Sequence, residues 1–276
     1  VDAVLAGQMR AFVDDMRRNN VALAGPDINH SVAEFTVERT HDGYAVRYAL
    51  AGIRNVGDKA MEAIVSEREG SGPFTSLTDL FERIPKGSMN SRQMEGLICA
   101  GALECLDDNR AKLFANADML LAVADAAERE RASGQAALFG GEDASSDGLH
   151  LVETARWSRI EQMTKERENF GFYFSAHPVQ QYWHLASANG ARSYQSVMQA
   201  GAPAGGRAPA VMAAMVESFS KGRTKRGKDF IRADFSDASG QFSAACFEES
   251  VVPQFERWAA EGTCLLLSVE LDSANP

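Results

Sequence analysis

The sequence has no run of about 18 consecutive apolar residues, so no transmembrane helix is expected, and no basic segment leads into an apolar one near its start, so no secretory signal is expected. Cysteine is scarce. Cys99, Cys105, Cys246 and Cys264 are the four thiols among 276 residues, with no CxxC pair and no histidine at zinc-like spacing. A disulfide scaffold and a zinc ribbon are therefore excluded, and reduced thiols in a cytoplasmic protein are expected. Positive charge is also in deficit: 28 Lys and Arg stand against 38 Asp and Glu, a net charge of −10. A chain that coats nucleic acid by bulk charge is excluded, while local patches stay open. No Ser/His/Asp arrangement, phosphate-cradling loop or metal-ligand cluster stands out, so the chain does not read as catalytic by itself. Position 1 is Val, not Met, as in a fragment of something longer.

A single core rarely grows beyond about 250–300 residues, so several domains are expected. Val4, Leu5, Met9, Phe12, Val13 and Met16 recur at helical spacing over residues 2–19, with Arg17 and Arg18 in the last turn. The stretch from Val21 breaks at Gly25-Pro26 and reads as extended or loop, and residues 44–50 read as a short strand. Helical patterning then runs over 57–69, 76–83, 90–100 with Asn90 as N-cap, and one long helix from Arg110 to about Arg131. Residues 140–155 hold four acidic residues, no Lys or Arg, and many Gly and Ser, and read as a mobile linker. Helices over Trp157–Glu168 and near Val179–Ala188 follow. After the Gly, Ala and Pro of 201–209 the period changes to β, in the order strand, strand, strand, helix at Pro253–Ala260, strand. That is the order of the five-stranded barrel called the OB-fold, with the fifth strand beyond Pro276.

Three segments could carry recognition chemistry. In Ala51-Gly52-Ile53-Arg54-Asn55-Val56-Gly57-Asp58-Lys59, an apolar turn with glycine leads into a helix, the signature of a helix-hairpin-helix. A glycine lets backbone approach a phosphate, and the amides and dipole of a helix N-terminus favour an anion. Such a device grips backbone without reading sequence. An ordinary turn between two helices is the alternative. A second, degenerate copy at Leu97–Leu106 continues into Asp107, Asp108, Asn109, Arg110 and Lys112, and of these only Arg110 and Lys112 suit a polyanion. Residues 51–113 carry 8 basic against 10 acidic side chains, so any grip there is local and salt-sensitive.

The second segment is Gln135-Ala136-Ala137-Leu138-Phe139, a glutamine followed by an apolar pair. It suits a peptide that docks in a groove, with Leu138 and Phe139 as anchors and the Gln135 amide beside them. Packing of Leu138 and Phe139 on their own domain is the alternative. The third is the loop of Lys221, Arg223, Lys225, Arg226 and Lys228, with Phe230 and Arg232 beyond; residues 221–232 carry a net +5. In an OB barrel this first inter-strand loop is where single strands are taken, and Phe230 offers a stacking face, although a core position suits it as well. A solvated loop at a hairpin edge is the alternative. His177, beside Pro178, reads as structural, and Glu166 and Glu168 read as a solvated helix face.

The order of these parts resembles the C-terminal half of bacterial replicative DNA polymerase III alpha subunits. GQAALFG is similar to that family's internal clamp-binding peptide, and ERENFGFYFSAHP to its block between clamp peptide and OB domain. The resemblance implies a multidomain α+β chain. Residues 1–45 would be the end of a fingers domain, and 46–134 a mainly α tandem helix-hairpin-helix domain that binds duplex DNA. Residues 135–156 would be clamp peptide and linker, 157–206 a connecting helical segment, and 207–276 an incomplete OB-fold. It further implies part of a DNA-directed DNA polymerase acting in the cytoplasm. Its partners would be duplex DNA, single-stranded template, the sliding clamp and other replisome subunits, with no membrane. No cofactor is expected in the chain, and the magnesium and catalytic carboxylates would sit in a palm domain before Val1. Ala137 stands where many relatives place a polar residue, and the acidic second hairpin departs from a DNA-gripping pattern. The error-prone paralogue, a non-enzymatic repair adaptor with the same modules, and a pure interaction scaffold are the rivals.

Overall fold

A computed structural model describes residues 3–41, 43–85, 89–133, 150–203 and 206–272. The pentapeptide 135–139 lies outside them. The chain divides into two compact units, residues 1–174 and 175–276. The fold is mixed α+β: a helical region with two hairpin turns, then a curled antiparallel sheet that forms an OB-like half-barrel.

The first unit begins with α1 (Ala3–Arg18), whose Val13 is buried. A small sheet follows, made of β1 (Ala22–Ala24), β2 (Thr36–Thr40) and β3 (Gly43–Arg47) in the order β1-β3-β2. The strand β2 is absent from the sequence reading because TVERT carries only one apolar residue, Val37, and that residue is 71% exposed. The segment between β1 and β2 is fixed by side chains. The buried Arg68 donates to the carbonyls of Ile28 (2.8 Å) and Ser31 (2.7 Å), and Asn29 closes a pair of bonds with the Phe74 backbone at 2.8 Å each.

Helices α2 (Asp58–Ser71), α3 (Leu77–Arg83), α4 (Ser91–Ala100), α5 (Arg110–Ala115), α6 (Ala117–Ser133) and α7 (Arg159–Phe170) complete the unit. Their starts follow capping chemistry: Ser76 accepts from the Asp79 amide, and Asn90 and Ser158 each form a reciprocal capping box. The single long helix expected from Arg110 to Arg131 is instead two. The chain breaks at Asn116, which is buried and exchanges 2.9 and 3.0 Å hydrogen bonds with the backbone of Val152. Residues 152–156 are accordingly not the mobile linker the composition suggests. Asn109 also holds the Thr154 carbonyl, and Arg156 pairs with Asp108.

The core joins α1 and the six helices α2–α7, from Val13 and Ile28 through Met61, Leu80, Leu97 and Leu120 to Phe170 and Phe172. At one end Tyr48 meets Phe35, Phe170 and Phe174 edge-on, with centroids 4.8, 4.8 and 5.7 Å away. Of these rings Tyr48 and Phe170 are buried, and a fully buried side chain of this kind contributes roughly 1.5–3 kcal/mol of transfer free energy.

The second unit opens with a 3-10 turn (Pro178–Tyr182), α8 (Trp183–Ala188) and α9 (Tyr194–Ala200), the last not anticipated from sequence. Its sheet comprises β4 (Arg207–Arg223), β5 (Asp229–Asp237), β6 (Gly240–Cys246) and β7 (Cys264–Asp272) in the order β6-β5-β4-β7, all antiparallel. The concave face buries Ala214, Val216, Ile231, Ala233 and Phe235 under α10 (Val252–Trp258). A bulge between Val216 and Ser218 bends the long strand β4.

Candidate nucleic-acid interface

The first hairpin is built on a tight turn. Gly52 and Ile53 donate to the carbonyls of Ala49 (3.2 Å) and Leu50 (3.3 Å), and Val56 donates to that of Ile53 (3.1 Å). The element before the turn is thus one turn of chain, not an α-helix. Ile53 and Val56 are buried and root the loop in the core. Asn55 holds a left-handed φ of 65°, which Asn tolerates better than most residues. The Arg54 amide is held by the Asn169 carbonyl at 3.0 Å, so α7 braces the turn from behind.

Asn55, Gly57, Asp58 and Lys59 are exposed at the start of α2. Gly57 is the N-cap and makes no side-chain cap, so the first amides of the helix have no capping side chain. Its φ of −92° and ψ of 147° are ordinary extended values, and a Cβ there would touch only Gln93 Nε2, at 3.6 Å. Absence of bulk, not backbone strain, is what glycine supplies here. Arg54 and Lys59 make no ion pair among the described residues; Asp58 adds a negative charge at the same end.

The second hairpin differs chemically. Gly101 takes a left-handed φ of 83° at the end of α4, and the Arg110 guanidinium passes over it. Arg110, expected on a DNA surface, donates to Glu104 (2.7 Å), to Glu166 (2.9 Å) and to the Cys99 carbonyl (3.0 Å). Its side chain is 10% exposed and that of Glu166 is 1%. Glu166 therefore belongs to a buried ion pair, not to the solvated face that its sequence context suggests; Glu168 is largely exposed. Lys112 bonds Asp107 at 2.6 Å, which raises its pKa, and the Arg156 bond to Asp108 lowers that carboxyl. The Asn109 side chain caps α5 through the Lys112 amide. The cations and one first-turn amide of this turn are engaged by side chains of the turn itself and by Glu166 of α7.

In the second unit, the basic residues surround the turn between β4 and β5. Gly227, with φ 78°, and Thr224 close it: the Thr224 amide donates to the Lys228 carbonyl at 2.8 Å. Three of the candidate cations have anionic neighbours. Lys221 bonds Glu256 (3.0 Å) and lies 3.4 Å from Asp229, and its pKa is raised by the Glu256 bond first. Arg223 bonds Asp229 (3.0 Å) and lowers that carboxyl, and Lys228 bonds Glu249 (3.1 Å). Lys225, Arg226 and Arg232 are exposed and make no ion pair among the described residues. Phe230 is half-buried and stacks on Phe247 at 5.2 Å, a partner the sequence reading did not name. Its signal would have been an aromatic one step past a strand of strict alternation.

His177 is buried, and its Nε2 lies 2.9 Å from Ser236 Oγ, which donates to Glu217 at 2.5 Å. This is not a nucleophilic arrangement. His177 Nδ1 accepts from the Val179 amide, so Nε2 carries the proton and donates to the serine, the reverse of what a general base does. Among the described residues, no three His, Cys, Asp or Glu side chains cluster so as to hold a metal, and no magnesium site is derived. No helix among them is long and apolar enough to cross a membrane.

This architecture of paired hairpins matches a known class: residues 20–113 fit the family described as helix-hairpin-helix motif. The likeness extends to particular proteins. DNA polymerase III subunit alpha of Caulobacter vibrioides is 33% identical over 247 residues, 88% of this chain and 21% of that protein. The subunit of the same name from Thermus aquaticus is 31% identical over 268 residues, 96% of this chain and 21% of that protein. In Xylella fastidiosa the identity is 39% over 173 residues, 62% of this chain and 14% of the relative. The chain is homologous along most of its length to DNA polymerase III subunit alpha and spans about a fifth of the length of the first of these relatives.

Proposed function

We propose that this chain is a C-terminal portion of a DNA polymerase III alpha subunit, a cytoplasmic DNA-directed DNA polymerase, and that it binds DNA and holds the enzyme on its template. Duplex backbone is gripped at the first hairpin, by the amides at Gly57, Asp58 and Lys59 with the side chains of Arg54 and Asn55. Residues 135–139 tether the enzyme to the sliding clamp, and the β4–β5 turn touches single-stranded template. Nucleotidyl transfer, with its magnesium, belongs to a palm domain elsewhere in the enzyme, and other replisome subunits are further partners.

The observation that carries the reading is the contrast between the two hairpins: one helix start is open and exposed, the other is capped and self-neutralised. An open helix start binds phosphate through amides and dipole without base contacts. That suits a polymerase, which must hold any sequence. With one such site and an acidic chain, affinity is weak and falls steeply with salt. A peptide tether offsets this by effective concentration.

A salt-titrated binding series against duplex, primer-template and clamp tests the reading. Duplex binding at low salt that fades with added salt is expected, together with clamp capture that Leu138→Ala with Phe139→Ala abolishes. No duplex binding at any salt overturns the grip, and unchanged clamp capture by the double variant overturns the tether.

A further inference from the structure

The convex face of the sheet near the β4–β5 turn holds an arrangement that charge alone does not explain. Ile231, Ala233 and Phe235 of β5 face the core, so Phe230 and Arg232 rise from the opposite face. Gly222 lies opposite Phe230 in register, and the Phe230 ring covers it: a Cβ on Gly222 would stand 2.5 Å from two ring carbons. Phe247, one residue past β6, stacks on Phe230 with an interplanar angle of 26° and is 60% exposed. Backbone, Phe230 and Phe247 thus form a stepped stack that ends in an aromatic face open to solvent.

The next row along the same face is Arg232, flanked in register by the small side chains of Ser220 and Ala245. Beyond it, Asp234 accepts from Ser243 (2.6 Å) and Ser218 (2.9 Å), and these bonds hold its carboxyl below the usual range. From Asp234 toward the turn, the order on this face is therefore a fixed anion, a cation without an ion pair among the described residues, an aromatic stack, and then the exposed Lys225 and Arg226 of the turn.

We propose that this stack is the base platform of a single-stranded nucleic-acid site. An unpaired base lies on Phe247, its phosphate meets the Arg232 guanidinium, and the strand leaves over the turn past Lys225 and Arg226. The Asp234 carboxylate repels phosphate in the other direction and gives the path one exit. The aromatic face meets the π-face common to every base, so the platform is indifferent to sequence. This deepens the single-strand contact proposed above and rests on it.

The test uses the whole chain, at low salt, with two fluorescent oligonucleotides of about 12 nucleotides. One is oligo-dT, and the other is an abasic strand with the same number of phosphates. Phe247→Ala is expected to weaken oligo-dT binding by about 5- to 100-fold and leave abasic binding unchanged. Phe247→Trp is expected to restore oligo-dT binding. Lys225→Glu with Arg226→Glu is expected to weaken both strands alike. Phe247 is solvent-exposed, so its truncation leaves the core intact. Equal effects of Phe247→Ala on the two strands, or no effect on either, overturn the platform while single-strand contact stands. Failure of the unaltered chain to bind either strand overturns the single-strand contact itself.

Discussion

Gly96, buried in α4, faces the Arg54 carbonyl so closely that a Cβ there would stand 3.0 Å from that oxygen and 3.2 Å from Val56. The first hairpin turn therefore rests directly on the backbone of α4. Alanine in mid-helix gains about 1 kcal/mol over glycine. Here the clash is with backbone, which yields less readily than a side-chain tip, so overpacking of about 1–3 kcal/mol dominates. Gly96→Ala is expected to lower the urea midpoint and to weaken duplex binding, as read by denaturation and anisotropy. A stabilised variant with full duplex affinity would show that the turn shifts freely.

Gly57 invites the opposite outcome. Its backbone is unstrained and a Cβ has room, and the smaller unfolded-chain entropy of alanine offsets its poorer N-capping, so Gly57→Ala is expected to change stability by only a few tenths of a kcal/mol. Duplex affinity should fall, because the added methyl stands where a phosphate approaches, and Gly57→Val should lower it further. Clamp binding should be untouched by either. Unaltered duplex affinity would remove Gly57 from the interface.

The Arg110–Glu166 pair is a fold determinant. Breaking one side leaves a buried guanidinium with only Glu104 as carboxylate partner. Glu166→Ala is expected to destabilise by about 3 kcal/mol, whereas Arg110→Met with Glu166→Leu should be far milder, since removing both charges removes the desolvation penalty as well. Paired urea melts at neutral pH measure the difference.

Two thiols offer a pH-dependent check. Burial pushes the Cys99 thiol up to about 12, and partial desolvation, with help from Asp27, pushes the Cys105 thiol up to about 11. The thiolate is the reactive form, so at pH 8 about one in 10³ Cys105 side chains is ionised. Alkylation followed by mass spectrometry should find both nearly inert at pH 8. Cys105, an exposed residue, should accelerate about tenfold per pH unit until its own pKa. Rapid labelling of Cys105 at pH 8 would contradict this environment.

Local signals were legible in the sequence and remote ones were not. Asn90 reads as a cap because its partner is three residues away, and the hairpin of β4 and β5 reads from alternation within one stretch. Asn116 looks like any polar residue in a helix; what breaks the helix there is Val152, 36 positions on. Arg110 looks like a free cation and Glu166 like a free anion, because their pairing spans 56 positions. Phe247 is invisible for a related reason: its meaning depends on Phe230 across the sheet, whose ring lies over the bare backbone of Gly222.

The self-neutralised second hairpin has a consequence for how the protein meets ionic strength. Salt largely screens interactions between exposed charges beyond a Debye length of about 8–10 Å, and it screens buried pairs far less. The open turn at Asn55–Lys59 lies in the first category and the Arg110–Glu166 pair in the second. Affinity for a polyanion and resistance to unfolding thus draw on separate side chains. Concentrated salt should yield an intact protein released from its ligand, so one can be altered by mutation without disturbing the other.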